Sequence, residues 1–230
     1  MMWSLDRRVA TSAFAVAGLA LALTIATSDA PAPVAGADRG VLARDLATLA
    51  NRSAGATWMV TFDFTRTNTA GDQLHDTLVI AHRPSIEVDD GLGSLVVDAG
   101  GRTYSCIVVG DTPDCLTRDE VGGTTEPGAV YGGAVVSGRY DIGRAPSATI
   151  AGLSGNCFRL RLRTGALPVA GLGYSSEQCY SDDGVPLRSR IARAGGTDER
   201  VALTVRRVVG RDELLPLLTP YGLERLAPAA

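Results

Sequence analysis

Four cysteines, Cys106, Cys115, Cys157 and Cys179, are the residues of this 230-residue chain best suited to covalent chemistry. An even count reads first as two disulfides in an oxidising compartment. Three pairings are open. Cys106–Cys115 and Cys157–Cys179 are favoured, because each pair sits within its own strand-turn-strand segment, and each bridge is worth about 2–4 kcal/mol. A redox pair or metal site lacks the C-x-x-C spacing and the neighbouring histidines it needs. The two histidines, His75 and His82, fall on one expected strand at a spacing that points them to opposite faces. Joint ligation or proton relay is therefore not expected, and edge or surface positions are expected for both. Asp89-Asp90-Gly91 and Asp182-Asp183-Gly184 lack the distal glutamate of a calcium loop and read as hairpin turns. No G-x-S-x-G, H-E-x-x-H or glycine-rich phosphate loop is present. The sequence thus nominates no catalytic residue, no metal site and no cofactor, and no enzyme activity is expected.

Charge and hydropathy bound the surroundings. The net charge is −3, with all 22 basic residues arginine, so no basic field points to nucleic acid. Arg7 and Arg8 precede an uncharged run from Val9 to Thr27, long enough as a helix, at about 28 Å, to cross a bilayer core. The arginines hold the leading end in the cytoplasm, so the rest is expected outside. The run also reads as a signal peptide, with small residues before cleavage points after Ala30 or Ala37. Its length favours a retained single-pass membrane anchor; cleavage would give a secreted domain. The expected organisation is a signal peptide or anchor over 1–30, a Pro/Ala-rich linker over 31–37, one extracytoplasmic domain over 38–218, and a tail over 219–230.

Periodicity supplies the elements that must position any site. Asp38 can cap a short amphipathic helix in which Leu42, Leu46 and Leu49 recur at i, i+4 and i+7, ending over Asn51–Gly55. The period then falls to two: Trp58, Val60, Phe62 and Phe64 share one face of a strand, and Leu78 and Ile80 one face of the next, Leu74–His82. Strands at Ile86–Val88, Ser94–Asp98 and Arg102–Val109 follow, with Asp90-Gly91 and Gly100-Gly101 as turns. Residues 119–146, rich in glycine and without a sustained period, read as short helix and loop. Strands return at Ala148–Gly152, at Cys157–Arg163 with Phe158, Leu160 and Leu162 on one face, at Ser175–Tyr180 and at Val185–Ala192. The last, Glu199–Val209, has Val201, Leu203 and Val205 expected inward, and Arg211–Leu218 forms one or two helical turns. Arg159, Arg161, Arg163, Arg188 and Arg190 fall on an outer face, as a solvated surface or a stripe for anionic lipid headgroups.

The Ala151-Gly152 … Cys157-Phe158 strand and the segment Cys179-Tyr180-Ser181-Asp182-Asp183-Gly184-Val185-Pro186-Leu187 resemble the late hairpin of exported members of the LolA/LolB-like lipoprotein-carrier superfamily. That superfamily includes RseB-type regulators and secreted actinobacterial lipoproteins. The resemblance covers about residues 38–210 and departs from the family in its glycine-rich middle segment and in lacking a lipidated cysteine. It implies an α+β fold: a curved antiparallel sheet of about ten strands, a half-open barrel with helices on its concave side, preceded by the N-terminal apolar helix. It also implies a cavity for an acyl chain or other hydrophobic ligand. The wall would be Trp58, Val60, Phe62, Phe64, Leu78, Ile80, Phe158, Leu160 and Leu162, and the lid Leu42, Leu46 and Leu49. A fully packed core without ligand is the alternative for the same residues. The leading expectation is a module binding a lipid-like ligand or a lipoprotein segment, with the membrane reached through the N-terminal segment and no protein partner identified. The second is a membrane-proximal regulatory ectodomain that binds a protein.

Overall fold

Residue 36 opens the first helix that the computed structural model of the chain describes; the described residues are 36–110, 112–119 and 127–228. They lie in the unit Pro33–Ala230. The expected anchor or signal peptide over 1–30 and most of the linker lie outside them, and among the described residues no helix is long and apolar enough to cross a membrane.

Helix α1 spans Gly36–Gly55, with Asp38 in its first turn, where a carboxylate complements the helix dipole. Leu46, Leu49, Ala43 and Ala50 are buried along one stripe, with Leu42 half-buried at its start. A meander follows: β1 (Trp58–Asn68), β2 (Gln73–Arg83), β3 (Ile86–Gly91), β4 (Ser94–Ala99), β5 (Arg102–Val109) and β6 (Thr112–Asp119). Then come α2 (Pro127–Val136), β7 (Tyr140–Arg144), β8 (Ala148–Ile150), β9 (Leu153–Leu162), β10 (Ser175–Tyr180), β11 (Pro186–Arg193), β12 (Gly196–Arg206) and α3 (Arg211–Leu218).

The strands form one open antiparallel sheet in the order β6-β5-β4-β3-β2-β1-β12-β11-β10-β9-β7, with β8 paired on β9. The fold is α+β, as expected, with twelve strands among the described residues rather than about ten. β1 and β12, from the two ends of the domain, pair at the centre and join two meanders. One extra strand, β6, extends the β5 hairpin outside any expected strand, and the other, β7, comes from the segment read as helix and loop: Tyr140 and Ile142 are too short an apolar pattern to register in sequence, but pair with Leu162 and Leu160 of β9.

Turn chemistry moved one expected hairpin. β3 continues through Asp90 and Gly91, and the turn falls on Leu92-Gly93, both at positive φ (55° and 69°) as a type I′ turn requires. A second shift comes from bulges. Thr61 faces Thr204 while Phe62 faces Ala202, so Leu203 is the extra residue. Ala202 therefore takes the inward place expected of Leu203, which is 55% exposed. A second irregularity lies at Cys179/Tyr180 against β11. Such bulges bend and twist a sheet locally.

Both cysteine pairs are bridged, Cys106–Cys115 and Cys157–Cys179, each between directly opposed residues of neighbouring strands. The two faces of the sheet are covered differently. α1 and α2 lie on the face carrying Phe158 and Leu160. Met59, Ala81, Val88 and Val97, aligned across β1 to β4 on the opposite face, are covered instead by α3 and the residues after it. Residues 219–226, read from sequence as part of a tail, make two short 3-10 turns, and Leu223 and Ala227 are buried in that second core. Three arginines of the expected stripe, Arg159, Arg163 and Arg188, are ion-paired. Arg159 meets Glu177 at 2.9 Å, and Arg188 meets Glu177 at 3.3 Å and Glu199 at 2.6 Å.

Candidate functional site

Leucines and small residues divide the buried stripe of α1 into two halves with different consequences. In the first half Leu46 and Leu49, with Leu42 half-buried, pack directly on Phe158, Leu160, Tyr140 and Tyr180, with Leu162 at the margin. Burial of each such side chain is worth about 1.5–3 kcal/mol. In the second half Ala50, Ser53 and Ala54 are too short to fill the same distance. A groove of about 340 Å³ is left there, between the end of α1, the start of α2 and the sheet.

Its position is set by specific ties. The Trp58 indole N–H donates to the Ser53 carbonyl at 3.0 Å, fixing the start of β1 to the end of α1. The Arg52 guanidinium donates to the Asp182 carbonyl at 2.9 Å. Gly184, at φ +90°, brings the β10–β11 turn against α1: a Cβ there would stand 2.9 Å from the Leu49 carbonyl. α2 is seated by Gly128, whose N–H donates to the Asn51 side-chain oxygen at 2.9 Å. A Cβ at Gly128 would lie 2.6 Å from the Ala47 carbonyl, so only glycine lets the two helices approach this closely.

Of the expected wall, Trp58, Phe62 and Ile80 line this groove. Val60, Phe64 and Leu78 are buried in the same apolar cluster but do not open onto it. Phe158, Leu160 and Leu162 belong to the packed half, together with all three expected lid leucines. The structure thus packs the leucines expected as a lid on one part of the expected wall and leaves a space at another. The sequence signal that could have located the opening is the change from leucine to Ala50, Ser53 and Ala54 along α1.

The groove is only partly apolar, and its polar residues were not foreseen as site residues. His82, expected at an edge or surface, is packed: its ring stacks on Trp58 with centroids 5.2 Å apart, and its Nδ1–H donates to the Ala56 carbonyl at 2.9 Å. Burial lowers its pKa, opposed by that hydrogen bond, so neutral imidazole is favoured. Its free Nε2 faces the Glu87 carboxylate at 3.9 Å. The Glu87 carboxyl is pushed up to about 6, by burial first and then by Asp98 and Asp89, with Arg200 acting the other way. Asp98 is directly opposite Glu87 across β3 and β4. Arg200 of β12 approaches Asp89 of β3 at 3.8 Å, so the two side chains reach towards each other over the groove face. Tyr131 of α2 and Tyr180 of β10 meet hydroxyl to hydroxyl at 3.3 Å, and burial raises the pKa of both.

Other candidate chemistry resolves into structure. His75 is exposed, with Nδ1 at 3.0 Å from the Thr65 hydroxyl and Nε2 at 3.2 Å from the Gln73 side chain. Asp182 accepts from the Asn156 amide at 2.7 Å, and Asp183 is held by Ser181 and Arg207, so both serve their turn. Among the described residues no cluster of three or more His, Cys, Asp or Glu is arranged to hold a metal.

An open antiparallel sheet with α1 and α2 on one face, α3 on the other, and a groove between the first two helices and the sheet is the class of fold these residues define. No family model and no curated protein matches the chain. Among solved structures it is similar to MucB, at 19% identity over 75% of this chain and 60% of that one, with a TM-score of 0.46. It is also similar to the Mycobacterium tuberculosis lipoprotein LppX, at 14% identity over 72% of this chain and 97% of that one, TM-score 0.44. A LolA superfamily protein from Nitrosomonas europaea matches at 8% identity over 75% and 96%, TM-score 0.34. All three likenesses concern the course of the chain alone.

Proposed function

We propose that this domain is an extracytoplasmic binding module that holds a lipid-like, amphipathic ligand in the groove between α1, α2 and the sheet. The observation that carries the reading is the groove itself. Trp58, Phe62 and Ile80 give it an apolar floor, while Tyr131, Tyr180, His82 and Glu87 give it a polar side. Pockets for small molecules combine an apolar lining with a few placed polar groups in this way. At about 340 Å³ it accommodates a single chain or a small amphiphile rather than a multi-chain lipid. The two disulfides support an oxidising, extracytoplasmic setting. The full set of expected wall and lid residues is retained here as the surrounding shell, with Trp58, Phe62 and Ile80 as the contact surface. Native mass spectrometry and lipid extraction of protein purified without detergent test the reading. A co-purifying amphiphile, or saturable uptake of a fluorescent fatty acid, is expected; absence of both counts against it.

A second reading, a protein-binding ectodomain, has its own observation. Ile107, Val109 and Leu116 are 49%, 61% and 63% exposed on one face of the hairpin β5–β6, at the edge of the sheet. Exposed apolar edges are sites of pairing with another chain. A specific cross-linked protein in membranes, lost in a Leu116→Asp variant, is the expected result for this reading. Cross-linking unchanged by that substitution contradicts it.

A further inference from the structure

Glu87 sets the polarity of the groove. It stands at the groove side with Asp98 directly opposite it and Asp89 two residues along the same strand face. The arginines that line the groove are engaged elsewhere. Arg188 is held by Glu199 at 2.6 Å and Glu177 at 3.3 Å, and Arg200 faces Asp89 at 3.8 Å. The nearest basic group to Glu87 is the His82 ring at 3.9 Å; burial favours its neutral form, against the opposing effect of the Ala56 hydrogen bond. The same groove is lined by four aromatic side chains, Trp58, Phe62, Tyr131 and Tyr180. Aromatic faces beside a carboxylate attract a positive charge, while the arginines that line the groove already have carboxylate partners of their own.

We infer that the groove selects amphiphiles whose polar end is a cation, an ammonium or quaternary ammonium group, with Glu87 as its counter-ion and the aromatic walls around it. The inference rests on the binding reading above and names the class of ligand for that same groove. The Glu87 carboxyl is shifted upward first by burial and then by Asp98 and Asp89, and a cation brought beside it would offset both. The groups facing Glu87 are His82 of β2, Asp89 of its own strand, Asp98 of β4 and Arg200 of β12. Of these, only Arg200 carries a full positive charge, and its ion pair is with Asp89.

The test is isothermal titration of the full chain at pH 7.5 with three dodecyl amphiphiles below their micellar concentrations. These are dodecyltrimethylammonium, dodecyl sulfate and neutral dodecyl maltoside. The expected result is binding of the cation about tenfold or more tighter than the anion. In Glu87→Gln the cation-to-neutral affinity ratio should fall about tenfold, with the melting temperature not lowered. At pH 5 the wild-type ratio should shrink as Glu87 takes up a proton. Equal affinities, a preference for dodecyl sulfate, or a cation preference unchanged in Glu87→Gln each overturns the inference while leaving the binding reading intact. Failure of all three amphiphiles to bind overturns both.

Discussion

Replacing Glu87 by Gln should stabilise this protein at neutral pH. A carboxyl raised from 4.5 to about 6 on folding is more costly to ionise in the folded state than in the unfolded chain. At about 1.36 kcal/mol per pH unit, that difference is worth at most about 2 kcal/mol. The side chain is 48% exposed, so solvent screening reduces it to about 1 kcal/mol. The sign follows from the direction. Below pH 4.5 the group is protonated in both states and its contribution to stability is whole; it is lost as pH rises through about 6. His82, whose pKa is lowered, acts in the opposite direction, with stability lost as the pH falls below 6.5, but it is present in both proteins and largely cancels from their difference. Urea denaturation at pH 4 to 8, disulfides intact, measures that difference. Glu87→Gln should gain about 1 kcal/mol on the wild type between pH 4 and pH 7.5, a rise of about 2–4 °C in melting temperature. A difference that is flat with pH, or that falls towards neutral pH, would refute the reasoning. A group that weakens the fold at working pH while lining a groove is what a binding role leads one to expect.

Three further outcomes follow from the structure. Loss of the Cys157–Cys179 bridge in Cys157→Ser frees a loop spanning a sequence separation of 22, which costs about 3 kcal/mol by loop-closure entropy; melting should fall by about 10 °C, and hydrogen exchange should rise in β9 and β10 more than in β1 and β2. Gly128→Ala forces α2 away from the Ala47 carbonyl and the Asn51 side chain, and should destabilise by about 1–3 kcal/mol and alter Trp58 fluorescence, since α2 and Trp58 border the same groove. Asp183, held at about 2 chiefly by its hydrogen bond from Arg207, contributes stability that is present above pH 3.8 and lost as pH falls through about 2; after discounting for its 48% exposure, Asp183→Asn should lose up to about 1 kcal/mol at pH 7 relative to wild type and close that gap in acid.

Much of the scaffold was legible because its signals are local. The alternation of Trp58, Val60, Phe62 and Phe64, the Gly100-Gly101 turn and the leucine spacing of α1 each follow from one element's own period. What escaped depends on partners distant in sequence. β7 exists because β9 offers it a ladder, which no window around Tyr140 contains. Leu203 turned outward because β1 and β12 meet with one residue extra on β12. The groove was legible only as a need for some cover over an apolar face. Its place was decided by small residues, Ala50, Ser53 and Ala54, whose effect is the volume they fail to fill. Glu87 and His82 read as ordinary strand residues, and their proximity depends on the register of β2 against β3.

Filling the groove from within tests the central claim most directly. Ala54, on the groove-facing side of α1 and only partly buried, can be replaced by Trp, so that an indole occupies the space above Phe62 and Ile80. Titration of wild type and Ala54→Trp with the same neutral dodecyl amphiphile, with near-ultraviolet circular dichroism confirming the fold, gives the comparison. The groove account predicts saturable one-to-one binding by the wild type and its loss in a folded Ala54→Trp variant. Wild-type affinity in that variant would contradict it.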